Sequence, residues 1–174
     1  MTKLTKYVIY LTGKESESYL LFQKYFESKN KLFKKPTLGM HCTILRFHSV
    51  VDENILIEEF NKLYLSLSPI LVTIQKADLF AEDSVVLRLD KTFPIEKLHR
   101  DSIRIFNPYE IITSEVRYVG INYAPHITTC HVPNISSIPN KISRVVCNKE
   151  VILDTLVFIK AESDWKILIE KKLV

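Results

Sequence analysis

A histidine and a threonine two positions apart occur twice in comparable surroundings. His41 and Thr43 stand in "GMHCTILRF", and His126 and Thr128 stand in "HITTCH", 85 residues further on. Both stretches are rich in apolar and β-branched residues and read as strands, in which residues i and i+2 point to the same face. Each strand therefore presents an imidazole beside a hydroxyl, and Cys42 and Ile44 turn to the opposite face as packing residues. One such triplet is a strand with a polar face. Two, at matching places in the two halves of the chain, constrain the fold to hold both strands in the same way.

The segments downstream of the two triplets also match. "LFAEDSVVLRL" and "IKAESDWKILI", 80 residues apart, share an Ala-Glu at the turn and an apolar run after it. A helix and then a hairpin thus come after a His-x-Thr strand twice, the pattern of an internal duplication.

The rest of the chain fits around that frame. "KYVIYL" reads as a first strand. In "GKESESYLLFQKYFESKN", Tyr19, Phe22 and Phe26 recur at helical spacing behind a Ser- and Glu-rich start that can cap a helix. "DENILIEEFNKLYLSL" gives a second helix with Ile55, Leu56, Phe60, Leu63 and Tyr64 on its apolar positions. "PILVTIQKADLF" and "SVVLRLDK" form a hairpin about "AED", and "FPIEKLHRDSIRIF" forms a helix with Pro94 in its first turn, where a missing N–H costs least. "NPYEIITSEVRYVGINYAP" mixes loop and strand, "NISSIPNKISRVV" is a helix interrupted by Pro139, and "VILDTLVFIKAESDWKILIEKKLV" closes the chain as a second long hairpin.

The expected fold is α+β, with two pseudo-symmetric lobes, each an antiparallel sheet with helices on its outer face, facing across a central cleft. A length of 174 residues suits one such bilobal domain spanning 1–174. Hydrophobic residues make up 47% and charged residues 25%, the composition of a folded globular chain. The net charge of +4 is too small for a nucleic-acid-coating protein, though it suits an anionic ligand wherever cations gather. Three cysteines without C-x-x-C spacing indicate neither a disulfide framework nor a zinc ribbon and fit a reducing compartment. The apolar run near the N-terminus, "YVIYL", is too short for a signal-peptide core or a membrane span. A soluble, cytoplasmic monomer is expected.

The paired triplets suggest a chemistry. If the two strands face one cleft, two imidazoles and two hydroxyls converge there. Phosphodiester cleavage needs a nucleophile deprotonated on one side of phosphorus and a leaving oxygen protonated on the other. Histidine, with an ordinary pKa of about 6.5, serves either role near neutral pH, and the threonine hydroxyls can donate to non-bridging oxygens. The scheme calls for no metal and no cofactor. His126 and His131, five apart without a carboxylate pair, match no common metal pattern.

"HCT" and "HIT", each His-x-Thr in a strand and separated by about half the chain, resemble the two signatures of the two-histidine (2H) phosphoesterase superfamily. That superfamily includes 2′-5′ RNA ligase-like cyclic phosphodiesterases and viral enzymes that cleave 2′-5′ oligoadenylate. The resemblance covers nearly the whole element order, and "PHIT" at Pro125 to Thr128 is the more typical half. It implies His41 and His126 as the acid–base pair and Thr43 and Thr128 as phosphate-binding hydroxyls. It also implies a basic residue shortly after each motif, for which Arg46 and His131 are the candidates. Strict alternation puts both on the face opposite the histidines, so a bulge is needed to bring them into the cleft.

The activity so implied is metal-independent phosphodiester cleavage or transfer on a nucleotide or RNA, at a 2′,3′-cyclic phosphate or a 2′-5′ linkage. The alternative is a non-catalytic RNA- or nucleotide-binding module using the same cleft. Tyr123, three residues before His126, is a candidate to stack on a base, against a plain packing role. His48 and His99 read as surface residues.

Overall fold

The computed structural model describes residues 3–65, 67–80, 83–111, 122–162 and 164–174. The turn read at Ala81 and Glu82, and the mixed loop and strand read between 112 and 121, lie outside them. Strand β1 (Thr5–Thr12) leads through helix α1 (Glu17–Lys29) to β2 (His41–Ser49), which carries the first motif. Helix α2 (Glu53–Tyr64) follows, then the hairpin β3 (Ile70–Phe80) and β4 (Ser84–Leu89) and helix α3 (Phe93–Phe106). Strand β5 (His126–His131) carries the second motif. After it come α4 (Asn140–Val146), β6 (Glu150–Leu153), β7 (Thr155–Ala161) and β8 (Lys166–Lys172).

Local chemistry sets the helix boundaries. The Ser16 side chain accepts from the Tyr19 N–H, and the Asp52 side chain accepts from the Asn54 N–H, which caps α1 and α2. Pro139 stands immediately before α4, so it starts that helix rather than breaking it. Tyr19, Phe22 and Phe26 are buried as their spacing predicts, and so are Leu56, Phe60 and Leu63. Ile55 differs: it is exposed on the outer side of α2.

The strands form one curled antiparallel sheet in the order β6-β3-β4-β5-β2-β1-β7-β8. The expected lobes are its two four-stranded halves. They join edge to edge where β2 meets β5, at the single pair Cys42↔Ile127. Each hairpin lies in the half that holds the other motif, β3–β4 beside β5 and β7–β8 beside β1. The closing segment is a hairpin only in its later part. Its first residues form β6, which crosses to pair with β3.

Buried side chains of all four helices meet one face of the sheet in the main core. The other face is lined differently: Val8, Tyr10, Val157 and Ile159 form a small apolar cluster there, and the motif histidines lie beside them on the same face. Gly13 permits the tight passage between halves, because a Cβ at this position would strike the backbone carbonyl of Ile152 in β6. Gly39, with φ of +64°, makes the left-handed turn that leads into β2.

Candidate active site

The two motif strands are brought together as neighbours, and their geometry is locally two-fold. Cys42 and Ile127 pair directly and are fully buried on the helix side. One step along antiparallel strands from that pair, His41 stands opposite Thr128 and Thr43 opposite His126, all on the open face. The two histidines are then diagonal neighbours across the ladder, a relation that holds such residues about 7–8 Å apart, with the Cβ atoms somewhat closer.

Each strand breaks its alternation one residue after the threonine. In β2, Ile9 pairs with Leu45 and Tyr10 with Thr43, which leaves Ile44 as the extra residue of a bulge. In β5, Val85 pairs with Cys130 and Val86 with Thr128, which leaves Thr129 extra at the corresponding place. The consequence is a change of face. Arg46, opposite Val8, lies on the side of His41 and Thr43, and His131, opposite Ser84, lies on the side of His126 and Thr128. The bulges that the two basic residues required are both present.

Both imidazoles are held by the backbone in the same manner. His41 Nδ1 lies 3.0 Å from the Gly39 carbonyl, and His126 Nδ1 lies 2.8 Å from the Ala124 carbonyl. A carbonyl oxygen only accepts, so Nδ1 carries the proton in each ring and the Nε2 lone pair is left for chemistry. Burial lowers the pKa of His41, and Arg46 lowers it further against the opposing effect of the Gly39 carbonyl. Burial also pushes His126 down, to about 4, with Arg88, Arg46 and His41 adding to the fall against the Ala124 carbonyl. These charges place Arg46 within electrostatic reach of both histidines.

Arg88 was not singled out by the sequence. It lies directly across from His126, forms an ion pair through Nε with Asp78 Oδ2 at 3.2 Å, and sits 5.3 Å above the Phe80 ring. Phe80 in turn packs on the His126 ring, with centroids 4.7 Å apart. At the place across from His41 there is Thr12, and the aromatic neighbour is Tyr10, edge-on at 5.3 Å. Across the ladder, His126 therefore faces an arginine where His41 faces a threonine. The signal available in the sequence was Arg88 as the one charged position in "SVVLRL", but its meaning depends on a register that only the fold supplies.

No protein-family model and no curated protein matches the sequence. Solved structures do match the fold. E. coli LigT complexed with 3′-AMP superposes with a TM-score of 0.65 at 9% identity, covering 99% of both chains. TT0787 of Thermus thermophilus gives 0.66 at 11% identity over 98% of both chains. Kluyveromyces marxianus Usb1 gives 0.53 at 10% identity over 94% of this chain and 97% of that one. The chain has the fold of these solved structures, LigT among them.

Within this fold, two sequence expectations come out differently. Tyr123 is not on the open face: it is 7% exposed on the helix side, its hydroxyl donates to the Thr43 carbonyl at 3.0 Å, and its ring stacks on His99 with centroids 3.9 Å apart. That is the packing role and not a base platform. His99, read as a surface residue, is 3% exposed, with Nδ1 2.7 Å from the Ile44 carbonyl. The stripe of Ile95, Leu98, Ser102 and Phe106 around it on α3 is buried, and helical spacing carries His99 in with them. His48 is half-buried on the same side of β2 as Arg46. His131 Nδ1 approaches Ser84 Oγ at 3.1 Å and Asp83 at 3.5 Å. Among the described residues no three His, Cys, Asp or Glu side chains gather as a metal site would need, and no helix is long and apolar enough to cross a membrane.

Proposed function

We propose that the chain is a metal-independent phosphodiesterase acting on a nucleotide or RNA phosphodiester, at a 2′,3′-cyclic phosphate or a 2′-5′ linkage. The observation that carries this reading is the two-fold disposition of His41/Thr43 and His126/Thr128 on adjacent strands, each imidazole tied through Nδ1 to a carbonyl two residues back. Phosphorus would lie between the two Nε2 atoms. One imidazole takes the proton of the attacking hydroxyl or water while the other gives a proton to the departing oxygen, and the roles then reverse. Thr43 and Thr128 donate to the non-bridging oxygens, and Arg46, His131 and Arg88 offset the charge that gathers there.

The cation asymmetry supports one assignment of the proton. Arg88 beside His126 disfavours its imidazolium, so His126 is the base and His41 carries the proton to the leaving group. LigT has been crystallised with 3′-AMP, with phosphate and with ATP, and a phosphate-bearing nucleotide is the class of ligand this site is read to take. The test is a panel of 2′,3′-cyclic nucleotides and 2′-5′ oligonucleotides incubated with the protein in EDTA-containing buffer. Product from either class supports the reading. Binding of panel members without product supports the non-catalytic module instead.

A further inference from the structure

Each bulge in the motif strands is held from the helix side by one buried side chain. A bulge leaves its extra residue out of the regular ladder, and a carbonyl stranded there in the core needs a donor from elsewhere. For Ile44 the donor is His99 on α3, whose Nδ1 reaches the carbonyl at 2.7 Å. For Thr129 it is Gln23 on α1, 5% exposed, whose Nε2 donates to the carbonyl at 2.7 Å and contacts the Tyr19 hydroxyl at 2.9 Å. The arrangement repeats with the local two-fold: α3 packs against β2 and α1 against β5. Two different residue types meet the same backbone need at two related positions. Around His99 the support is doubled, because Tyr123 stacks on its ring and donates to the neighbouring Thr43 carbonyl.

We propose that His99 and Gln23 are positioning residues for the substrate phosphate, because the bulges they hold are what turn Arg46 and His131 onto the face of His41 and His126. Without a bulge, alternation would send Arg46 toward the helix-side core, in place of Leu45 or Phe47. This inference rests on the reading that phosphate binds between the motif strands. Neither residue touches that phosphate.

His99→Phe keeps a ring against Tyr123 and removes the donor, and His99→Asn keeps a donor at the position of Nδ1. Two readouts are compared: inorganic phosphate titrated against ¹⁵N-labelled protein, following the Arg46 guanidinium signal, and kcat and KM on whichever panel substrate the wild type turns over. His99→Phe should weaken phosphate binding and raise KM by about tenfold, with a smaller fall in kcat. His99→Asn should recover most of the loss. In an Arg46→Ala background His99→Phe should add little, because the two changes act through one contact.

A folded His99→Phe with wild-type phosphate affinity and KM overturns the proposal, and so does the same tenfold loss with and without Arg46. If His99→Phe does not fold, Gln23→Met tests the other bulge, and its effect should vanish in a His131→Ala background. Wild-type turnover with unaffected variants defeats the positioning role and leaves the phosphodiesterase reading standing. Phosphate binding that responds to His99→Phe without any turnover does the reverse, and a wild type that binds no phosphate overturns both.

Discussion

Arg88 sets the two catalytic candidates apart. It stands across β4–β5 from His126, and its charge is the first among those that depress that imidazole, after burial itself. Removing it with Arg88→Ala should raise the His126 pKa from about 4, measurable by following the ring signals through an NMR titration. An unchanged value would mean that burial alone sets it. Arg46→Ala removes a charge near both histidines and should raise KM by about tenfold if the guanidinium grips the phosphate through charge-assisted hydrogen bonds. The four motif residues were legible because strand periodicity acts over two positions and needs no knowledge of the fold. Arg88 was not, because a cross-strand neighbour is fixed by register, and His99 was misread because the charges of Lys97, Arg100 and Asp101 mask the buried stripe it belongs to.

At the scale of elements, the placement of helices and strands followed from local chemistry: capping by Ser16 and Asp52, the apolar spacing of α1 and α2, and the apolar, β-branched runs of β1, β3 and β4. The joining of the two halves did not. A sequence pattern does not say whether two sheets face each other or share an edge, and here β2 and β5 share one. Nor do bulges leave a mark in composition, since Ile44 and Thr129 are ordinary strand residues whose displacement is decided by partners on β1, β4, α1 and α3. The crossing from β6 to β7 depends on Gly13. Gly13→Ala forces a methyl group against the Ile152 carbonyl and should destabilise the chain by about 1–3 kcal/mol, the usual range for overpacking, seen as a lower urea midpoint with an unchanged slope. A midpoint equal to wild type would show that β6 yields at no cost.

For the whole molecule, the buried histidines link stability to pH. The His126 pKa is about 4 in the folded chain and near its ordinary value of 6.5 when unfolded, so between these the unfolded chain binds more protons. Stability therefore rises with pH through that window and is lost as pH falls through it. His41 and His99, lowered chiefly by burial, act in the same direction. His126→Asn should flatten the slope, so that the difference in Tm between about pH 7 and pH 5 is smaller than in the wild type. An equal slope would place the uptake of protons elsewhere.

The central claim is that two imidazoles from two related strands carry one reaction between them. The measurement that tests it is kcat/KM for His41→Ala, His126→Ala and the double variant, in EDTA-containing buffer, on the panel substrate the wild type cleaves fastest. Each single variant should lose about 10²–10⁴-fold, and the double variant should fall short of the product of the two losses, because the groups act as a unit. Turnover near the wild-type rate in either single variant would contradict the account.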